Sequence, residues 1–219
     1  PSACIADAKL LAGLKEDPFA GLSFRCAANG EYKGWHLYED EIAQARSIEK
    51  GLGRPDDPVL IVYSSGTTGA PKGIVLRQSG VIGNALRVME RLEHGPNDRF
   101  ITLLPSFHTF GYNFEFIKPA LVHGPVVVMP AFDAERALAL IERYKVTVLH
   151  AVPTMIARIF DAQLLAKHDV TSIRMVYTGG GPVSPELKRY LKEDIGIAVS
   201  EGYGMTECSA GATIQPLRK

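Results

Sequence analysis

The sequence is short of cysteine, of net charge and of long apolar runs, and each shortage excludes a class of protein. Its three cysteines, Cys4, Cys26 and Cys208, are odd in number and far apart, so they outline neither a disulfide framework nor a metal site. Such thiols are typical of a reducing compartment, which predicts a cytoplasmic protein. Lysine plus arginine balance aspartate plus glutamate at 24 each, so no basic field for nucleic acid is expected.

Several common signatures are also missing. No run has the length of a transmembrane segment, and the N-terminus lacks the pattern of a signal peptide. The motifs CxxC, HExxH and GxSxG do not occur, and the histidines show no metal-ligand spacing. We therefore expect no transmembrane segment, no nucleic-acid partner, and no zinc-protease or α/β-hydrolase chemistry.

From residue 58 onward the sequence alternates short apolar runs with longer stretches of helical character. The apolar runs lie at 59–63, 99–105, 125–130, 146–152, 173–180 and 195–204. The stretches between them, each long enough for a helix, lie at 78–93, 109–123, 133–144, 153–168 and 184–194. This alternation predicts an α/β fold with a largely parallel sheet flanked by helices.

The beginning of the chain has a different character. Residues 37–50 carry regularly spaced apolar side chains among charges, which predicts an amphipathic helix that ends at Gly51. The glycines and prolines of residues 51–58 are typical of a linker. We therefore expect a peripheral segment and linker over residues 1–58, followed by the α/β portion over residues 59–219.

Ligands of open α/β sheets bind beyond the carboxyl ends of the strands. Four predicted strands are followed there by segments rich in glycine and hydroxyl side chains. These are YSSGTTGAPKG at 63–73, PSFHTFG at 105–111, TGGGPVS at 178–184 and EGYGMTE at 201–207. We expect these four strand ends to face one crevice.

The first of these segments has the composition of a polyphosphate site. Its glycines adopt positive φ without penalty, so successive backbone N–H groups can converge on an anion, and its hydroxyl groups add further donors. Lys72, held by Pro71, supplies a flexible positive charge suited to phosphate oxygens. A P-loop is excluded, because that motif needs Gly-Lys-Ser/Thr at the start of a helix. The alternative is a mobile linker rich in Gly, Ser and Thr.

The segment EGYGMTE has side chains suited to a nucleotide. Tyr203 could offer its ring to a flat base, Thr206 its hydroxyl to a phosphate, and Glu207 a hard oxygen ligand to Mg²⁺. The alternative is a tyrosine-bearing turn followed by a solvated glutamate. On this segment alone, the tyrosine-bearing turn is the favoured interpretation.

Taken together and in this order, YSSGTTGAPKG, TGGGPVS and EGYGMTE resemble the motifs of the adenylate-forming superfamily of acyl-CoA synthetases, adenylation domains and luciferases. The resemblance extends over nearly all of residues 58–219. It implies an incomplete N-terminal core, with the ATP-binding portion in residues 59–219. It also implies parts that this sequence lacks, namely a Thr-Gly-Asp ribose motif and a C-terminal lid domain with a catalytic lysine. We therefore expect a fragment with little activity alone.

The resemblance implies a role for each motif residue. The serine- and threonine-rich loop and Lys72 would embrace the β- and γ-phosphates of ATP, and Tyr203 would stack on adenine. Thr206 would touch the α-phosphate and Glu207 would hold Mg²⁺. The implied catalytic residues are Lys72, His108, Thr206 and Glu207. The implied nucleotide-binding residues are Ser64, Ser65, Gly66, Thr67, Thr68, Gly69, Lys72, Gly179, Gly180, Gly181, Glu201, Gly202, Tyr203, Gly204, Met205 and Thr206.

The segment LPSFHTFGY, residues 104–112, resembles the part of the same family that lines the acyl site. It implies substrate contacts from Phe107, His108, Gly111 and Tyr112. Amino-acid-activating relatives commonly place an aspartate where this chain has His108, and an unpaired ammonium would be costly to bury. A fatty or aryl carboxylic acid is therefore the expected substrate. The alternative for His108 is a structural histidine near a helix start.

The implied reaction joins a carboxylate to the α-phosphorus of ATP, releases pyrophosphate, and then transfers the acyl group to a thiol, with coenzyme A as the expected acceptor. Because two anions must meet, Lys72 and Mg²⁺ would carry much of the electrostatic work. Two alternatives stay open. One is a ligase that loads a carrier protein, and the other is a catalytically inactive nucleotide-binding module.

Overall fold

A computed structural model of the protein describes residues 3–46, 51, 53–64 and 70–217. Its backbone contacts divide the chain into two compact units, Pro1–Leu52 and Gly53–Lys219. The sequence placed this border later, between residues 58 and 59. Residues 55–57 belong to the second unit because the amides of Gln78 and Ser79 donate hydrogen bonds to the carbonyls of Asp57 and Pro55.

The first unit contains a small parallel sheet in the order β1, β2, β3, with two short helices. Its elements are β1 (Ala3–Asp7), α1 (Ala8–Ala12), β2 (Phe24–Ala28), β3 (His36–Leu37) and α2 (Tyr38–Gln44). The helix predicted to end at Gly51 ends at Gln44 instead, because Ala45 is extended. Helix α2 buries none of its residues and has no basic residue in its last turn, so little stabilises a longer helix. Residues 47–50 lie outside the described part of the chain.

The second unit is built on a six-stranded sheet in the order β11, β10, β9, β8, β6, β7. Its strands are β6 (Phe100–Ile101), β7 (Val126–Val127), β8 (Val148–Ala151), β9 (Met175–Thr178), β10 (Ala198–Tyr203) and β11 (Thr213–Ile214). All neighbouring strands are parallel except β10 and β11. Strands β8 and β9 are buried along their whole length, as the continuous apolar runs predicted. The predicted α/β fold with a largely parallel sheet is confirmed.

Helices occupy all five stretches that the sequence assigned to them. They are α3 (Gln78–Arg91), α4 (Thr109–Gly111), α5 (Lys118–Leu121), α6 (Ala134–Tyr144), α7 (Pro153–Ile159), α8 (Ala162–Leu165) and α9 (Pro185–Arg189). Two π-helical turns interrupt the pattern, at Tyr112–Ile117 between α4 and α5, and at Tyr190–Asp194 after α9. In the described residues, no helix combines the length and the apolar character needed to cross a membrane.

One strand assignment needs correction. The run at 59–63 does not join the parallel sheet but forms β4 (Pro58–Ser64), which pairs antiparallel with β5 (Lys72–Arg77) in a separate two-stranded ribbon. The connection between the two strands is too short for a parallel crossover, which needs a dozen or more residues. The inner face of the ribbon packs Val62 and Leu76 against Val81 of α3. Strand β4, one of the four strands expected to end at one crevice, therefore belongs to a different sheet.

A partly buried ion pair joins the amino ends of three parallel strands. Asp98, just before β6, accepts hydrogen bonds from Arg174 Nε at 2.7 Å and Nη2 at 2.6 Å, just before β9. Thr147 Oγ1, just before β8, donates to the same carboxylate at 2.9 Å. Burial alone would raise the pKa of Asp98, but hydrogen bonds from Arg174, Gly95 and Thr147 outweigh it and hold the pKa below its usual value. The pair thus aligns the strand starts opposite the glycine-rich ends.

Two imidazoles are buried under the sheet without hydrogen bonds. The ring nitrogens of His94 and His150 have no partner among the described residues, and their ring centroids lie 5.4 Å apart. The ring of His150 also stacks on Phe100. Burial lowers the pKa of His94 from 6.5 to about 3 and holds the pKa of His150 well below its ordinary value. Both rings are therefore neutral in the folded protein.

Because both imidazoles are buried and neutral, we expect the stability of the fold to decrease in acid. Between pH 6.5 and about 3 the unfolded chain binds protons that the folded chain excludes, so the free energy of unfolding falls as the pH falls. Each ring contributes a slope of up to about 1.4 kcal/mol per pH unit. His150→Phe keeps an aromatic ring but removes one proton site. We expect this variant to lose less stability than wild type between about pH 7 and about pH 5, measured by urea unfolding.

The control is His123→Asn, because the side chain of His123 is exposed and asparagine tolerates its left-handed backbone. It should keep the pH dependence of the wild type. Equal losses of stability in wild type and His150→Phe would contradict the assignment of His150 as a buried neutral base.

Candidate functional site

A cavity of about 200 Å³ opens at the carboxyl ends of β9 and β10. Three of the segments singled out in the sequence meet there: the one after β6, the glycines after β9, and the end of β10. The lining residues are His108, Thr109, Phe110, Phe114, Tyr177, Gly179, Gly180, Gly202, Gly204, Met205, Thr206 and Ala210. The expected convergence of strand ends is thus present for the strands that share the parallel sheet.

Close approach of backbone explains the glycine at 202. The pairing of Glu201 with Thr178 sets Gly202 beside the end of β9. A Cβ at residue 202 would overlap the hydroxyl of Tyr177, so a side chain there would push the tyrosine out of place. Glycine at this position therefore allows the ring of Tyr177 to remain in the wall of the cavity.

Aromatic rings form the inner wall of the cavity. Phe114 stacks on Tyr177 with centroids 4.7 Å apart, and Phe110 meets Phe114 edge to face at 4.9 Å. Burial raises the pKa of Tyr177 to about 12, so its phenol stays neutral. The sequence analysis did not assign Phe110 or Tyr177 to the site. The only signal for them is their position among apolar residues that alternate into the core.

His108 lies at the mouth of the cavity and begins the helix that follows. Its Nδ1 accepts a hydrogen bond from the amide of Phe110 at 3.1 Å, which caps α4. A neutral ring with Nδ1 as acceptor carries its proton on Nε2. The two interpretations of His108 therefore coincide in one residue, which both caps a helix and lines the cavity.

A buried carboxyl holds the loop that presents His108. Glu115, in the π-helical turn, accepts hydrogen bonds from the amides of Leu103 at 2.8 Å and Leu104 at 3.1 Å. Burial raises the pKa of Glu115 to about 8, although the two amide hydrogen bonds oppose this shift. Glu115 thus ties the end of β6 to the helix that carries Phe110 and Phe114.

Glu201 has partners within the protein. Its Oε1 accepts from the amide of Val183 at 3.1 Å, and its Oε2 pairs with the ammonium of Lys188. These contacts link strand β10 to the segment that follows Gly179–Gly181. In the structure Glu201 thus braces the glycine-rich segment instead of presenting a free carboxylate.

Thr206 and Glu207 share one 3-10 turn, Thr206–Cys208, but line different spaces. Thr206 lines the aromatic cavity, whereas Glu207 lines an adjacent open groove of about 750 Å³ beside α3. The carboxylate of Glu207 is exposed and has no hydrogen bond or ion pair with any described residue. It is therefore available as a ligand.

The residues at this turn fit a magnesium ion that is shared with a phosphate. Among the residues described, no three His, Cys, Asp or Glu side chains cluster to form a metal site. Mg²⁺ is commonly held by one or two carboxylates together with substrate phosphates and waters. A single free carboxylate at Glu207 is consistent with that mode and with no all-protein cage.

The residues that flank the hydroxyl-rich segment belong to the β4–β5 ribbon. Ser64 and Lys72 face each other across the last pair of that ribbon. Ser65, Gly66, Thr67, Thr68 and Gly69 lie outside the described residues. Strand β5 approaches the turn Thr206–Cys208 within 8 Å between Cα atoms. The strand that begins with Lys72 and the turn that carries Glu207 are therefore neighbours.

Several predicted contact residues lie away from the cavity. Phe107 is 84% exposed and borders a separate groove with Leu104 and Met129. Tyr112 and Gly181 are absent from the lining, and Gly111 is buried against the backbone of Pro105. Tyr203 points to the opposite side of β10 from Gly202 and is 64% exposed. The structure therefore brings together His108, Gly179, Gly180, Gly202, Gly204, Met205 and Thr206.

Comparisons with known proteins give a family match for the chain. The family of AMP-binding enzymes matches residues 3–219. The chain is 34% identical over 187 residues to 4-coumarate–CoA ligase 2 of Oryza sativa subsp. japonica, covering 83% of this chain and 32% of the ligase. It therefore spans about a third of the length of the curated relatives it matches.

Solved structures of similar proteins share the fold. The inhibitor-bound N-terminal domain of FACL13 from Mycobacterium tuberculosis has a TM-score of 0.82 and 26% identity, covering 97% of this chain and 52% of that one. ATP-bound MatB from Rhodopseudomonas palustris has a TM-score of 0.79 and 27% identity, covering 100% of this chain and 43% of that one.

The packing at Gly204 generates a stability prediction. A Cβ at residue 204 would overlap the carbonyl oxygen of Ala210, so Gly204→Ala must displace the turn that contains Glu207. We expect the free energy of unfolding to fall by about 1–3 kcal/mol, as for other overpacked sites. Urea unfolding measures it.

The matched control is Gly83→Ala in α3, where a Cβ meets nothing within 4 Å. Removing a helical glycine there should leave the stability unchanged or raise it by up to about 1 kcal/mol. A Gly204→Ala protein as stable as wild type would show that the turn is not packed as described.

Proposed function

The chain belongs to the family of AMP-binding enzymes, and from this we propose that the full-length protein activates a carboxylic acid with ATP and transfers the acyl group to coenzyme A. One carboxylate oxygen attacks the α-phosphorus, the bond to pyrophosphate breaks, and an acyl-adenylate forms. The thiol sulfur then attacks the acyl carbon, AMP leaves, and the thiol proton passes to solvent. The observation that carries this proposal is the meeting of the three strand-end segments at one cavity, with the Lys72 strand beside the Glu207 turn.

The nucleotide would lie along the edge of the sheet. We assign the β- and γ-phosphates to the loop after Ser64 and to Lys72, and the α-phosphate to Thr206. The exposed ring of Tyr203 is suited to stacking on adenine. Gly179 and Gly180 leave room for the adenosine and the acid. The second compact unit, Gly53–Lys219, then carries the ATP-binding portion.

Charge neutralisation is the main catalytic contribution in this proposal. Two anions, the carboxylate and the triphosphate, must approach each other, and their repulsion grows as water is excluded. Lys72 is exposed and has no ion pair in the part of the chain that the structure describes, so its ammonium is available for phosphate oxygens. Bound at Glu207, Mg²⁺ would supply further positive charge to the phosphates.

The acid would occupy the aromatic cavity. Aromatic rings and glycines make up much of its wall, and none of the lining residues that the structure describes carries a carboxylate to pair a substrate ammonium. The stacked pair of Phe114 and Tyr177 closes the inner end, which favours a compact or aryl acid over a long chain. The similarity to a 4-coumarate–CoA ligase supports an aryl acid. The Nε2 proton of His108 is a suitable donor to the carboxylate of that acid.

The first test concerns Lys72. In the full-length protein, Lys72→Ala should lower carboxylate-dependent exchange of pyrophosphate into ATP by at least about 100-fold, because it removes charge stabilisation of the transferring phosphates. The control is Lys192→Ala, at an exposed lysine of the π-helical turn Tyr190–Asp194. This variant should exchange pyrophosphate into ATP at the wild-type rate. Unchanged exchange in Lys72→Ala would remove the loop from the proposed mechanism.

The second test concerns the inner wall. Phe114→Ala removes the ring that stacks on Tyr177, so acids bulkier than the best wild-type substrate should gain about tenfold in kcat/KM relative to that substrate. A panel of aryl acids of increasing length, assayed by pyrophosphate release, measures this ratio. Phe116→Ala comes from the same helical turn but does not line the cavity, and it should leave the ratio unchanged. The same order of preference in both variants would place the acid elsewhere.

A further inference from the structure

Two asparagines from different elements donate hydrogen bonds to the turn that follows Glu207. Asn84 of α3 donates its Nδ2 hydrogens to the carbonyls of Cys208 at 3.1 Å and Gly211 at 2.5 Å. Asn113 of the π-helical turn donates to the carbonyl of Ser209 at 2.6 Å. Three carbonyls within four residues are therefore held by two side chains that lie about a hundred residues away in sequence.

The two amides are also oriented relative to each other. Asn113 Nδ2 lies 3.4 Å from Asn84 Oδ1, so the oxygen of one side chain accepts from the amide of the other. Because backbone carbonyls only accept hydrogen bonds, both side chains must present their NH₂ groups to the turn. Asn113 is buried, and its Nδ2 meets these two acceptors, whereas its Oδ1 has no hydrogen-bond partner among the described residues. The pair is thus committed to this one arrangement.

The turn needs such support. Ser209 and Ala210 both adopt positive φ, 57° and 90°, which residues with a side chain rarely do. Backbone of this kind costs free energy and persists only where the surroundings hold it. The preceding 3-10 turn, Thr206–Cys208, shares its last residue with the gripped segment. The asparagines therefore act on the backbone that directly carries Thr206 and Glu207.

We propose that Asn84 and Asn113 are positioning residues that set the place of Glu207 for the magnesium–nucleotide complex. This inference rests on the proposed function. Asn84 lines the same groove as Glu207, so its hydrogen bonds to the turn lie beside the proposed site. Residues that orient a metal ligand in this way typically change metal affinity by 10- to 100-fold when removed.

The test compares ATP binding with and without the metal. Calorimetry on the full-length protein gives the ratio of ATP affinities in Mg²⁺ and in EDTA. We expect Asn84→Leu and Asn113→Leu, which keep side-chain size but lose the donors, to reduce this ratio by about tenfold while leaving the affinity in EDTA unchanged. Asn84→Gln, which retains a donor, should recover part of the ratio. Asn97→Leu, at an exposed asparagine, is the control and should equal wild type.

Each outcome decides one question. A wild-type ratio in folded Asn84→Leu and Asn113→Leu would overturn the positioning role and leave the proposed function standing. Absence of ATP binding by wild type would overturn the proposed function itself. If Asn113→Leu fails to fold, as judged by thermal unfolding, the ratio measured for Asn84→Leu tests the positioning role by itself, because Asn84 is only half-buried. An unchanged EDTA affinity with a reduced ratio would establish a role that simple destabilisation does not produce.

Discussion

The parallel register of β8, β9 and β10 is the constraint on which the site depends. Thr178 pairs with both Ala151 and Glu201, so the carboxyl ends of these three strands lie side by side. At the other end, the Asp98–Arg174 ion pair and Thr147 align the strand starts. A shift of one residue in any strand would turn its side chains to the other face and separate the glycines from the cavity.

Close backbone packing then shapes the site. Glycine at 202 makes room for Tyr177, and glycine at 204 makes room for the turn at Ala210. The turn itself is strained and is held by Asn84 and Asn113. Glu207, the proposed magnesium ligand, lies on the 3-10 turn that this packing positions. Backbone packing therefore sets the shape of the site, and it holds the segment that carries Glu207 in place.

Much of the site was readable from the sequence, because short segments with unusual composition kept their local character in the fold. Glycines 179, 180, 202 and 204 and Thr206 all line the cavity. Phe107, predicted to contact the substrate beside His108, borders a different groove, because proximity in sequence does not fix the direction of a side chain. Strand β4 was mistaken for part of the parallel sheet, although its short connection to β5 already favours an antiparallel pair.

The sequence by itself determined the α/β class and the positions of most strands and helices after residue 58, and it indicated a chemistry for the motifs. These depend on local periodicity and on residue types that act within one loop. Only the tertiary structure decided which aromatic rings close the cavity, which asparagines grip the turn, and that Glu201 braces a loop. Such contacts join residues up to 127 positions apart, and no local pattern encodes which distant partners the sheet register brings together.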